Sequence, residues 1–441
     1  MDDQKRPQSA EGELMPTLWR ETRKQLQEPA EQFRQVRTIV TPKGERLPLL
    51  MRRNGVPDYQ STAFVLVEMR ARNLSCSAID KALRAIAILY RFLQSRNVIL
   101  QTRIRSGRVF TLQELDALVH LCRTHANSDA TEDTNVLHWV RSCGGASGSP
   151  GCHSKFVSPA VTAYRLSVIR DFVIWSIRTT NPLCADREAL ISNFKRLIDS
   201  RSPPVRANLT LQREGLSAED AQLLLDIVKP GAASNPWSNE YAQIRNHLII
   251  LWLLHLGLRR GELLGIRISD IDFVRGRVII HRRADDIDDP RTVQPNAKTL
   301  PRELELKREL LELTEDYVLT YRLEFYGSRR HDFLFVASNS GLPLSASSIT
   351  KIFRVLSAQP AMQKSPICAH LLRHTWNERF SEIVDERGVP EETEKRVRSY
   401  LMGWSDVSKS AASYTRRHIR RRAADISVAL QESALARGSK K

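Results

Sequence analysis

The sequence predicts a mostly α-helical protein with one small antiparallel β-sheet, arranged as two domains. Apolar residues recur at helical spacing through much of residues 62–178. A Pro203-Pro204 stretch poor in large apolar residues interrupts that pattern near residue 200. A strand–turn–strand alternation then appears in the second half. The length, 441 residues, is itself long for a single core.

Residues 1–55 are polar, charged and Pro-containing, with one helix-like stretch from Leu18 to Val36, and read as an arm or flexible leader. From Thr62, Ile79, Leu83, Ile86, Leu89 and Leu93 fall on one helix face, with Ser75 or Ser77 as cap. In FTLQELDALVHLCR, Thr111 followed three residues later by Glu114 is a capping box. SPAVTAYRLSVIRDFVIWSIR is a further helix, and the Gly/Ser-rich CGGASGSPGC before it cannot hold regular structure. Residues 56–200 therefore form a helical domain and 201–212 a linker.

In the second domain, 213–425, Ser217 caps a helix whose capping box Asp220 can complete. Asn239 to Leu264 reads as long helical structure packed into a core. DIDF, a turn at Arg275-Gly276, RVIIHR and RELEL supply the sheet, and Asp332–Val336 is a further extended piece. Helices resume at SASSITKIFRVL. The stretch IRRRAADISVALQESAL is amphipathic, with Ile419, Ile426, Val428 and Leu430 available to bury, and residues 426–441 form a C-terminal helix end and tail.

Sixty-seven Lys and Arg against 50 Asp and Glu give a formal charge of +17, which predicts an anionic partner, nucleic acid first. An anionic membrane surface is the rival, but no lipidation signal or isolated basic amphipathic helix stands out. The longest apolar run, Leu248 to Leu258, is broken by His255 and is short of the about 20 residues that span a bilayer. The N-terminus lacks the apolar stretch of a secretory signal, so a cytoplasmic, nucleoid-associated protein is expected. Six scattered cysteines fit a reducing compartment. Cys143, Cys152 and His153, with Cys122 and His125 upstream, match no standard zinc spacing and read as ordinary residues.

Three stretches carry chemistry. In HLGLRRGELLGIRISDID, Arg259 and Glu262 are either a surface ion pair or a buried fork for phosphate oxygens. In HLLRHTW, His370 and Arg373 share a helix face and can grip one anion. In YLMGWSDVSKSAASYTRRHIRRR, Trp404 and Tyr414 precede Arg416, Arg417, Arg420, Arg421 and Arg422. Taken singly, each has a bland reading in packing or a solvated helix face. A rival cluster, Asp285, Asp286, Asp288 and Asp289 with Asp270 and Asp272, suggests a two-metal nuclease, but consecutive Asp in a Pro-containing loop more often form a solvated turn.

The order Gly-Leu-Arg-x-Gly-Glu-Leu-Leu, Lys-Thr before a strand, His-x-x-Arg-His-Thr, Gly-Trp, then Tyr resembles the tyrosine recombinase (phage integrase) family over roughly residues 206–425. The helical region 56–200 looks more loosely like that family's DNA-clamping domain. The resemblance implies a two-domain, C-shaped DNA clamp. It matches Arg259 and Arg373 to the catalytic arginines and Lys298 to the hairpin lysine. It matches His370 to the paired histidine, Trp404 to a His/Trp position and Tyr414 to the nucleophile, with Glu262 and His374 in support. It implies strand cleavage and rejoining through a 3′-phosphotyrosine with no metal or other cofactor. Double-stranded DNA, a homo-oligomeric (tetrameric) synapse and accessory proteins are the implied partners. Type IB topoisomerase-like relaxation and a non-catalytic DNA-binding role on the same fold remain open alternatives.

Overall fold

The computed structural model describes residues 33–124, 156–180, 187–204, 215–295, 299–363, 367–405, 408, 423–424 and 426–432. The chain divides into two compact units, the main break falling between Ala207 and Asn208.

In the first unit, β1 (Phe33–Val40) and β2 (Arg46–Arg52) form a two-stranded sheet. Gly44, at φ +82°, allows the tight turn between them. Helices follow at α1 (Tyr59–Phe64), α2 (Cys76–Ser95), α3 (Leu100–Arg105), α4 (Leu112–Arg123), α5 (Pro159–Thr179) and α6 (Arg187–Asp199). The five apolar positions that the periodicity places on one face of α2 are all buried. The Thr111 box forms as read: Thr111 Oγ1 accepts from Glu114 N, and Thr111 N donates to Glu114 Oε2 at 2.8 Å.

The arm reading of residues 1–55 is corrected over 33–52, and the helix-like stretch is a strand from Phe33 onward. β2 lies against α2, and its Leu50 joins the core with Phe64, Leu89 and Phe172. A polar average hid one short apolar run, Leu47 to Leu50, sufficient to cover a helix. Asp58 caps α1, accepting from Ser61 N and from Tyr90 Oη, each at 2.9 Å. The Gly/Ser-rich loop, Cys143, Cys152, His153 and His125 lie outside the described residues. Cys122 is a core side chain, its thiol pushed up to about 12 by burial despite Arg165 nearby.

The second unit comprises α7 (Ala218–Val228), α8 (Glu240–Leu256), α9 (Arg260–Gly265), β3 (Ile271–Asp272), β4 (Arg277–Ile280), β5 (Arg302–Glu305), α10 (Arg308–Asp316), α11 (Ala346–Ser357), α12 (Ala369–Glu386) and α13 (Glu391–Met402). α8 is apolar around most of its circumference and runs through the core, burying Leu248, Ile249, Ile250, Trp252, Leu253 and Leu254. Only half of the Ser217 motif appears: its hydroxyl accepts from Asp220 N at 3.0 Å. The sheet is antiparallel, β3–β4–β5, with Val278 opposite Leu304 and Ile280 opposite Arg302. Asp332–Val336 joins no strand of that sheet and makes isolated bridges, Phe333 to Arg267 and Val336 to Pro343. Among the described residues no helix is long and apolar enough to cross a membrane.

Candidate active site

The helical stretch expected from Asn239 to Leu264 breaks at Gly257, which is left-handed at φ +60°. A Cβ there would lie 2.8 Å from Trp376 Cγ and 2.9 Å from Met402 Cε, so glycine is required twice over. The break turns the chain so that Arg259 becomes the residue before α9. Glu262, one turn on, reaches back and accepts from Arg259 N at 2.9 Å. That back-bond explains the three-residue spacing, because a carboxylate there satisfies a backbone donor left open at a helix start.

Glu262 is not in a surface pair. It is 2% exposed. Arg302, at the start of β5, donates to it through Nη2 at 2.9 Å and through Nη1 at 3.4 Å, and Thr299 Oγ1 also donates to it. Arg259 Nη1 lies 3.5 Å and Arg373 Nη1 3.7 Å from the same carboxylate. Burial pushes the Glu262 carboxyl up. Arg302, Arg373 and the Thr299 hydroxyl outweigh it and hold it below the ordinary carboxylate range. Arg259, Arg302, Arg373 and Glu262 together carry three positive charges and one negative.

The arginines differ in access. The Arg259 side chain is 36% exposed, yet its Nη1 is buried and has no hydrogen-bond acceptor among the described residues. Arg373 is 2% exposed; Nη1 donates to Gly257 O at 2.7 Å and Nη2 to Met402 O at 3.0 Å. Arg373 thus ties the end of α8 to the end of α13. Arg302 Nε adds a bond to Leu401 O at 2.7 Å. Two guanidinium groups therefore take up the last carbonyls of α13, where cations are favoured.

α13 ends at a second left-handed glycine, Gly403, at φ +63°. Its carbonyl accepts from Leu300 N at 2.9 Å. Trp404 follows, buried, with the Arg373 guanidinium 5.6 Å from its ring centroid. On α12, His370 is exposed and His374 half-buried, their rings edge-on at 4.4 Å. The start of the unit braces this helix: Gly215 N donates to Glu378 Oε1 at 2.7 Å and Leu216 N to Thr375 Oγ1 at 2.8 Å.

The structure thus joins Arg259, Glu262, Arg373 and Trp404 in one set of contacts, with His370 and His374 on the helix that supplies Arg373. Lys298 and Tyr414 lie outside the described residues, as do Ile419 and Arg416 to Arg422. Sequence reasoning missed Arg302 and Thr299. The signal was there in RELEL, whose alternation sets Arg302 and Leu304 on the buried face and Glu303 and Glu305 outside.

Three of these acidic residues are hydrogen-bonded to arginines. Asp270 accepts from Arg283 Nη1 at 3.0 Å, Asp286 from Arg267 Nη2 at 2.6 Å and Asp289 from Arg291 Nη2 at 2.8 Å. Among the described residues, no group of three or more His, Cys, Asp or Glu is placed to hold a metal.

Residues 215–420 match the phage integrase family. No curated protein sequence matches the chain. Among solved structures, the chain is similar to the XerH site-specific recombinase bound to difH substrate (15% identity, 83% of this chain and 88% of that one, TM-score 0.46). It is also similar to XerA recombinase (16%, 81% and 91%, 0.33) and to the Tn1549 transposon integrase in complex with a circular intermediate DNA (17%, 58% and 85%, 0.35). The assignment rests on the sequence match together with the ordered motifs from Arg259 to Tyr414. Residues 215–420 carry a phage integrase family domain.

Proposed function

We propose that the protein is a site-specific DNA recombinase that cleaves and rejoins strands through a 3′-phosphotyrosine at Tyr414. The observation that carries this reading is the Arg259–Glu262–Arg373 cluster, a net cationic site with one guanidinium partly open to solvent and short of an acceptor. A phosphodiester supplies the missing oxygens in the planar geometry that a guanidinium fork fits.

The Tyr414 oxygen attacks the phosphorus, the bond to the 5′-oxygen breaks, and a 3′-phosphotyrosine forms. Arg259, from the exposed side, and Arg373, from the buried side, stabilise charge building on the non-bridging oxygens. Trp404 offers its indole N–H to the same phosphate. His370 takes the phenol proton or holds the phosphate, and Lys298 gives a proton to the departing 5′-oxygen. Attack by a second 5′-hydroxyl reverses the step. The phosphodiester energy is kept in the tyrosyl ester, so the cycle calls for neither ATP nor a metal. The substrate is double-stranded DNA, engaged by a homo-oligomer, with accessory proteins where the site requires them. The charge of +17 supports that partner.

The test uses a duplex carrying the sequence that the wild-type chain selects from a random pool, with chelator present. The wild type should form covalent protein–DNA adducts and exchange strands between two such duplexes, while Tyr414→Phe does neither. Adducts that persist in Tyr414→Phe would remove the nucleophile. Relaxation of supercoiled DNA without strand exchange would favour the topoisomerase-like reading.

A further inference from the structure

Arg302 and Thr299 touch Glu262 from β5 and from the residues just before it, and Lys298 is the next residue back in the chain. The same stretch is bonded to the end of α13 at two further points, Arg302 Nε to Leu401 O at 2.7 Å and Leu300 N to Gly403 O at 2.9 Å. The fit is close, since a Cβ on Gly403 would lie 2.7 Å from Arg302 Nη1 and 2.9 Å from Leu300 O. The Arg302 side chain is 1% exposed and that of Glu262 fully buried, so water does not replace these bonds if they are lost.

We infer that Arg302 is a positioning residue: it holds β5 and the residues from Thr299, which follow Lys298 in the chain, together with the end of α13, against the carboxylate that orients Arg259. The inference rests on the proposed function. Arg302 touches no reacting atom. It acts by fixing where the proton donor and the nucleophile stand relative to the arginines. Lysine cannot replace it, because one ammonium cannot span Glu262 Oε1, Glu262 Oε2 and Leu401 O with the planar fork that does so here.

The experiment uses the full chain and the selected duplex, in two forms: the natural one, and one with sulfur replacing the 5′-bridging oxygen at the cleavage point. A thiolate leaves without a proton, so the sulfur duplex bypasses the proton donor. For Arg302→Lys, the first-order rate of adduct formation at saturating protein should fall roughly 10- to 100-fold, the loss expected of an ångström-scale misplacement. Duplex affinity should change little, and the sulfur duplex should recover part of the lost rate, as it should for Lys298→Ala. Equal loss on both duplexes, or no loss on either, overturns the positioning role. Thr299→Val, which removes one hydroxyl bond to the same carboxylate, carries the same expectation if Arg302→Lys does not fold. Tyr414→Phe separates the two claims: adducts in that variant overturn the nucleophile, whatever Arg302 does.

Discussion

Replacing Glu262 by glutamine changes one oxygen for an amide and leaves the volume nearly untouched, so it isolates charge. In the native site that carboxylate faces donors only: Arg302 at 2.9 Å, the Arg259 N–H at 2.9 Å and the Thr299 hydroxyl, with Arg373 at 3.7 Å. An amide NH2 turned toward any of them sets donor against donor, and two deeply buried guanidinium groups lose their counter-charge. Removing one partner of a buried ionic network costs about 3–5 kcal/mol. For a unit of roughly 200 residues, about 2–4 °C of melting shift per kcal/mol gives a fall of roughly 6–20 °C. The effect has a pH signature. The folded-state pKa of Glu262 lies below its ordinary value, so the stability it contributes is complete above about pH 4.3. That contribution is lost as pH falls through the lower, folded value, where wild type takes up the proton and comes to resemble the amide. Urea unfolding of both proteins, followed by tryptophan fluorescence from about pH 7 down to about pH 3, reads the difference. A gap that holds steady to about pH 4.3 and narrows below it is expected. A glutamine variant as stable as wild type at neutral pH, or a gap that widens on acidification, would refute the reasoning.

Further outcomes follow from the same contacts. Gly403→Ala should destabilise by at least the about 1–2 kcal/mol of a left-handed non-glycine residue, and by more because its Cβ meets Arg302 and Leu300; Gly265→Ala, with nothing within 4 Å, should melt at or above wild type. Asp58→Ala should cost about 2–3 kcal/mol by urea unfolding, since it removes the α1 cap and strands the Tyr90 hydroxyl, while Tyr90→Phe should cost about 1 kcal/mol. Affinity for duplex DNA, measured by fluorescence anisotropy, should fall roughly 10³-fold or more between 50 and 200 mM salt; a flat dependence would contradict a phosphate-dominated interface.

Much of this was legible in the sequence for identifiable reasons. The buried face of α2 and the Thr111 box depend on local spacing. The segments around Arg259, His370 and Arg373 carry enough ordered motif to be read together. What escaped detection depended on distant neighbours. The β1–β2 hairpin is polar on average, and the apolar side chains of Val36, Leu47 and Leu50 cover the helical core. Arg302 looks like a surface residue until the alternation of RELEL and the arrival of Glu262 from forty residues upstream turn it inward. Gly257 lies inside Asn239 to Leu264, which reads as one helical stretch, and the close neighbour that requires glycine there, Trp376, comes more than a hundred residues later.

The most direct measurement is the identity of the residue that becomes attached to DNA. Wild-type protein trapped on the selected duplex in the presence of chelator, digested with nuclease and protease, should yield by tandem mass spectrometry a single nucleotide-bearing peptide with the 3′-phosphate on Tyr414. A phosphate on any other side chain, or a 5′-phosphate linkage, would contradict the account at its centre.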